Sequence, residues 1–90
     1  MKEEHIALAK ALMKEIMLDN GSVDRNNPEE YSEEWVNKIA PIAGKFFDNN
    51  PEYNTEKHIK DIAITDPEKL YDIEGYEELS NVLNDYYDHV

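Results

Sequence analysis

Carboxylates are the most numerous groups in this chain that could do chemistry. The 90 residues include 21 aspartates and glutamates, three histidines and no cysteine. Without cysteine, disulfide bonds and thiolate metal sites are excluded, and the composition fits a reducing compartment such as the cytoplasm. The uses that remain for the carboxylates are calcium binding, acid–base catalysis and recognition of a positively charged partner.

Two acidic segments share part of the spacing of a calcium-binding EF-hand loop. Residues 48–59 begin with acids and amides at loop positions one, three and five. However, such a loop requires glycine at its sixth position and a bidentate glutamate at its twelfth, where this chain has Tyr53 and Ile59. Residues 19–30 end in a suitable glutamate but lack oxygen ligands at the third and fifth positions. We therefore expect no calcium site, and we expect no other metal or cofactor.

The histidines, serines and glycines do not indicate catalysis. His5, His58 and His89 are spread over the chain, and none has a second histidine or a carboxylate in metal-ligand register on a clear shared face. We interpret them as helix-surface residues. No serine has the context of a nucleophile elbow, and the three glycines are scattered, so no phosphate-binding loop is present. Paired acids such as Glu77 and Glu78 occur in any acid-rich chain, and we expect no enzymatic activity.

The last 25 residues carry the clearest pattern. No lysine or arginine follows Lys69, and at 100° per residue the sequence from about Gly75 to Asp88 predicts a helix with two unlike sides. Its apolar side consists of Tyr76, Leu79, Val82, Leu83, Tyr86, Tyr87 and Val90. Its opposite side carries five carboxylates, which we call the acidic face: Glu74, Glu77, Glu78, Asp85 and Asp88. Three more acids extend the negative surface at its start: Asp66, Glu68 and Asp72. These eight residues are the candidate site for binding a partner.

Helix one is predicted from about Lys2 to Leu18, and it stops at Asn20-Gly21 because both residues tolerate a left-handed conformation. Its main apolar stripe consists of Ile6, Ala9, Leu12, Met13, Ile16 and Met17. A second, weaker apolar region consists of Ala7, Leu8, Ala11 and Leu18. The helix is thus apolar over more of its girth than a surface helix needs. Two explanations stay open: helix one is covered from two sides within the chain, or it forms the interface of a homodimer.

Helix two is predicted to begin with Asn27 as its N-cap and Pro28 at its first position, and to run to about Asp48. Pro41 lies inside this pattern, and the apolar stripe on both sides of it favours a kink over a break. The best candidates for core anchors are Trp35, Phe46 and Phe47.

The remaining segments also read as helices. Thr55 can cap a short third helix from Glu56 to about Ile64, although a strand stays open for residues 56–64. Asp66-Pro67 is a second start signal and opens a helical turn through Tyr71. The fold class predicted for residues 1–90 is therefore all-α, a compact single domain of four to five helices.

The net charge of −12 is unevenly distributed and limits the partners. Residues 51–90 contain three basic and eleven acidic residues, whereas residues 1–20 contain three and four. Direct binding of DNA, RNA or an anionic membrane is disfavoured, because those ligands need a basic footprint. The chain has neither an apolar run of about 18 residues nor the features of a signal peptide, and we expect a cytoplasmic protein without a membrane span.

In size, charge and its Asp/Glu/Tyr-rich helical ending, the chain resembles the acidic DNA-mimic proteins of bacteriophages, which include antirestriction proteins, nucleoid-protein inhibitors and some anti-CRISPR proteins. The resemblance is one of composition, is strongest over residues 51–90 and rests on no shared motif. It implies a basic, DNA-binding partner protein in a bacterial host cell, whose nucleic-acid site the acidic surface would occupy. Helix one departs from the resemblance because its charge is nearly balanced, which would confine mimicry to part of the surface. The alternative is a small helical interaction or structural domain whose acidic face is only solvated.

Overall fold

The described residues of the protein form four α-helices and one additional α-helical turn. The computed structural model describes residues 2–22, 31–64 and 67–90. The helices are α1 (Glu3–Asp19), α2 (Glu33–Asn49), α3 (Glu56–Ile64), the single turn α4 (Pro67–Leu70) and α5 (Tyr76–His89), with a 3₁₀ turn at Pro51–Tyr53 between α2 and α3. The described residues contain no strand. The predicted all-α class is confirmed, and the open choice for residues 56–64 is settled as helix.

The end of α1 follows the predicted stop signal. Gly21 has a φ of +78°, which is the left-handed conformation that glycine adopts without steric cost. The Ser22 N–H donates to the Met17 carbonyl at 3.0 Å, and the Asn20 N–H donates to the Ile16 carbonyl at 3.0 Å. These bonds satisfy carbonyls that the end of a helix would otherwise leave without partners.

The predicted start of α2 is wrong by several residues. The helix begins at Glu33, and Ser32 is its N-cap, with an extended backbone (φ −64°, ψ 122°). Asn27 and Pro28 lie outside the described residues. Ser32 followed by Glu33 and Glu34 is itself a start signal, because acids in the first turn interact favourably with the helix dipole. Two start signals lie close together here, and the helix uses the second.

The helix α2 continues without a break through Pro41, whose ring lies on the exposed side. The predicted cap of α3 is confirmed, because the His58 N–H donates to the Thr55 hydroxyl at 3.2 Å.

Helix α1 lies at the centre of the fold and packs against α2, α3 and α5. Its predicted main stripe is buried apart from Ile6, which is half-buried. Leu8 is also buried, with 8% of its surface exposed. Of the second apolar region, Leu8 is thus covered within a single chain, Ala11 and Leu18 are half-buried, and Ala7 is exposed. The homodimer through helix one stays a prediction.

Aromatic side chains join α2 to α5. Phe46 contacts Tyr76 near the start of α5, with ring centroids 6.2 Å apart. Trp35, near the start of α2, contacts Tyr86 at 5.4 Å near the end of α5, so the two helices run antiparallel. Phe46 and Phe47 are buried, as predicted for core anchors, whereas Trp35 is only half-buried. Each fully buried aromatic or large aliphatic side chain stabilises the fold by about 2 kcal/mol.

Candidate functional site

The buried side of α5 fixes the direction in which its acidic side points. Four residues hold this helix against the core, each no more than 2% exposed: Tyr76, Leu79, Leu83 and Tyr86. The Tyr76 hydroxyl also donates a long hydrogen bond, 3.4 Å, to the Ile62 carbonyl of α3. Because a helix is rigid, anchoring one side through about three successive turns presents the other side to solvent.

Three positions of α5 differ from the predicted pattern. Tyr87 and Val90 were placed on the apolar side, but they are 40% and 38% exposed. Tyr87 lies in the last turn of α5, and Val90 directly follows the end of the helix at His89. Ser80 is buried, with 4% of its surface exposed. Sequence reasoning missed it because serine is more often found on the surface.

All five carboxylates of the acidic face are exposed, and so is Asp72. Asp66 and the side chain of Glu68 lie outside the described part of the chain. The structure therefore brings six of the eight candidate residues onto one continuous stretch, from the turn before α5 to the last turn of that helix.

The turn that leads into α5 is held by two residues that the sequence did not single out. Gly75 has a φ of +85°, which lets the chain reverse before the helix begins. The Asn50 side-chain amide donates to the Phe46 carbonyl at 3.0 Å and to the Glu74 carbonyl at 3.2 Å. Asn50 thus ties the end of α2 to the start of the acidic face, across 24 residues of sequence.

The acidic face has no counter-charge of its own. Within the part of the chain that the structure describes, none of its five carboxylates forms an ion pair. Residues 70–90 contain no lysine or arginine. Asp85 and Asp88 moreover lie near the C-terminal end of α5, where the helix dipole disfavours negative charge. The placement of these two acids therefore cannot be explained by helix stability.

The average density of charge along α5 is close to that of one DNA strand, although its carboxylates are unevenly spaced along the helix axis. Glu77 and Asp88 are about 16 Å apart along the helix axis at 1.5 Å per residue, and four carboxylates lie in that interval. One strand of duplex DNA places about five phosphates in the same length, at about 3.4 Å each. A groove that binds a phosphate backbone would thus encounter a similar charge per unit length on this helix.

Two tyrosines border the acidic face and could add contact area. Tyr71 is 62% exposed and Tyr87 is 40% exposed. Tyrosine gives large contact area at low cost in conformational entropy, because it has few rotatable bonds. Tyr86 differs from both, since it is packed in the core and burial raises the pKa of its phenol.

A second cluster was missed by sequence reasoning. His5 in α1 lies beside Asp48 in α2, with its Nε2 atom 3.1 Å from Oδ2 and 3.3 Å from Oδ1. Glu4 is the third member, and the three residues place potential metal-ligand atoms within 4.8 Å of one another. The interpretation of His5 as a surface residue with no carboxylate in register is therefore wrong. No local signal could have revealed the pair, because its members are 43 residues apart.

No family model, curated protein sequence or solved structure matches this chain. None of the helices in the described residues combines the length and apolar character needed to cross a membrane.

Proposed function

We propose that this protein is a DNA-mimic inhibitor that binds a basic, DNA-binding protein and occupies its nucleic-acid site. The observation that carries the proposal is the acidic face. It consists of four exposed carboxylates along α5, a helix anchored to the core, and of Glu74 in the turn before it, and none of the five forms an ion pair among the described residues. We further propose that it acts in the cytoplasm of a bacterial host cell, where such a partner would meet DNA.

Rigidity supports this proposal over a function in solubility alone. A solvated acidic surface does not need its charges in a fixed array, whereas a mimic must hold them at spacings that a phosphate-binding groove accepts. Tyr76, Leu79 and Tyr86 fix α5 against the core from its first residue to its last turn. The partner would supply lysine and arginine side chains, and bringing opposite charges together would steer and accelerate the encounter.

Self-association through α1 is a separate proposal, and only part of the apolar surface that motivated it is buried. The apolar surplus of α1 suggested a homodimer, but Leu8 is buried by the chain's own helices. The alternative to mimicry remains a small helical interaction or structural domain. Such a domain would dock through an apolar surface, and its binding would depend little on salt.

Neutralising the acidic face as a set tests the proposal. The variant carries Glu74→Gln, Glu77→Gln, Glu78→Gln, Asp85→Asn and Asp88→Asn. Each side chain is exposed, so the variant should fold as the wild type does. The partner is first captured from a bacterial lysate on immobilised wild-type protein and eluted with salt. We expect its association rate with the variant to fall by about tenfold or more, because rim charges mainly govern the encounter.

A matched control separates location from net charge. Five exposed acids elsewhere in the fold are neutralised in the same way: Glu3, Asp19, Glu33, Glu52 and Glu56. This control carries the same change of charge, and its association rate should fall much less. Equal losses in both variants would mean that net charge alone is responsible. No loss in the acidic-face variant would leave that face as a solvated surface.

A further inference from the structure

The contact between His5 and Asp48 has the spacing of two ligands on one metal ion. Zinc bonds to histidine nitrogen and carboxylate oxygen are about 2.0–2.2 Å long, so two ligand atoms on a tetrahedral ion lie about 3.3 Å apart. The His5 Nε2 atom is 3.1 Å and 3.3 Å from the two carboxylate oxygens of Asp48. This contact is a hydrogen bond between the imidazole and the carboxylate, and its length also matches the separation of two ligands on a shared ion, which would replace the proton between them.

Gly44 positions the imidazole for this contact. A Cβ atom at Gly44 would lie within 3.0 Å of three atoms of the His5 ring, so the ring occupies space that only glycine leaves free. Gly44 and Asp48 are one helical turn apart on α2 and thus lie on the same side of that helix. The ring is only 15% exposed, whereas Asp48 is 54% exposed. The imidazole is fixed by packing, and the carboxylate is reachable from solvent.

We propose that Glu4, His5 and Asp48 form a binding site for a divalent transition-metal ion of the zinc class. A neutral imidazole together with carboxylates is a ligand set that suits zinc, while magnesium and calcium take oxygen ligands almost exclusively. Glu4 is exposed in the first turn of α1, and a carboxylate oxygen of this residue lies within 4.8 Å of the ligand atoms of His5 and Asp48. Bound metal would then link the start of α1 to the end of α2.

Electrostatics at this position favour a cation on balance. The two carboxylates offset the charge of a divalent ion, and Asp48 lies in the last turn of α2, where the helix dipole is negative. The N-terminal end of α1 opposes this with its positive dipole. Because the two helix dipoles are similar in size, their effects largely cancel. The two carboxylates therefore make the local electrostatic potential negative.

Titration of the full chain, without a histidine tag, with zinc tests the site. We expect one saturable site per chain by calorimetry. At a free zinc concentration about 100 times the dissociation constant, the melting temperature should rise on the order of 10 °C. Calcium at the same concentration is the control for diffuse binding of divalent ions to an acidic surface, and it should cause a much smaller rise.

Four variants assign the ligands. His5→Gln and Asp48→Asn should each abolish the saturable zinc binding, and Gly44→Ala should weaken it although every ligand is still present. His89→Gln is the matched control and should bind zinc as the wild type does. If His5→Gln impaired folding, Asp48→Asn would decide whether zinc binds at this site. Asp48 is exposed and asparagine keeps its shape, so this variant should fold normally. Zinc binding no stronger than calcium binding, or zinc binding that survives loss of His5 or Asp48, would overturn the proposal.

Discussion

The His5 ring packs directly against Gly44, and the free energy of unfolding reports on this contact. Alanine in a helix interior is more stable than glycine by about 1 kcal/mol. A Cβ at Gly44 would however collide with the His5 ring. We expect Gly44→Ala to lower the free energy of unfolding in the wild type and to raise it, by up to about 1 kcal/mol, in a His5→Ala background.

The four proteins to compare are the wild type, Gly44→Ala, His5→Ala and the double variant. Urea unfolding measures the stability of each. A chelator is present throughout, so that bound metal does not contribute to the measured stabilities. The same sign of change in both backgrounds would show that the His5 ring does not occupy the space beside Gly44.

Single residues were predictable from the sequence when their partners are close in the chain. Thr55 caps the helix that follows it, and Asn20-Gly21 ends the helix before it, because both motifs act within about four residues. The pair of His5 and Asp48 depends on α1 and α2 running antiparallel. No local rule contains that information, so the cluster became visible only in the structure.

Among the helices, α5 carries negative charge near its C-terminal end, where such charge destabilises a helix. Asp85 and Asp88 lie near its negative end, and removing their charge should remove an unfavourable interaction with the helix dipole. We expect Asp85→Asn and Asp88→Asn together to raise the free energy of unfolding by about 0.5–1 kcal/mol at low salt. The gain should shrink as salt screens the interaction.

The matched change is Glu77→Gln with Glu78→Gln at the start of the same helix, where carboxylates are favoured. Thermal melts at low and high salt should show this pair to be neutral or destabilising. If both pairs stabilised equally, general repulsion within the −12 chain, and not the dipole, would be the cause.

Helix positions were predicted better than helix starts. The 3.6-residue period located α1, α2, α3 and α5, because the periodicity is summed over many residues. The start of α2 was predicted at Pro28 and lies at Glu33. A start depends on one or two residues, and the sequence offers competing signals at Asn27-Pro28 and at Ser32.

At the scale of the whole molecule, the position of Leu8 separates a self-sufficient monomer from a dimer built on α1. Leu8 is 8% exposed within one chain, so Leu8→Glu should bury a charge and lower the free energy of unfolding by about 3 kcal/mol. Ala7→Glu is the matched control, since Ala7 is exposed on the same helix and should tolerate the charge.

Chemical unfolding gives the stabilities, and sedimentation equilibrium gives the mass of the wild type. A Leu8→Glu variant that is as stable as the wild type but no longer self-associates would restore the dimer through α1 and contradict this account.

The fold class could be read from the sequence, while the function could be read only as a surface property. Burial patterns determine an all-α bundle because apolar periodicity reports packing directly. No comparable pattern within the chain identifies what a surface binds, because the complementary surface lies on another molecule. The sequence identified six acids that the structure confirms as exposed, among them Glu74 and Asp88. What they bind depends on the partner's charges.

Competition by duplex DNA shows whether the acidic face occupies the nucleic-acid site of the partner. The measurement is the dissociation constant between this protein and the partner captured from lysate, determined at increasing concentrations of a short duplex and at several salt concentrations. The account predicts that DNA displaces the protein competitively, and that binding weakens steeply with salt. Simultaneous binding of DNA and this protein to the partner, with an affinity that salt hardly changes, would contradict it.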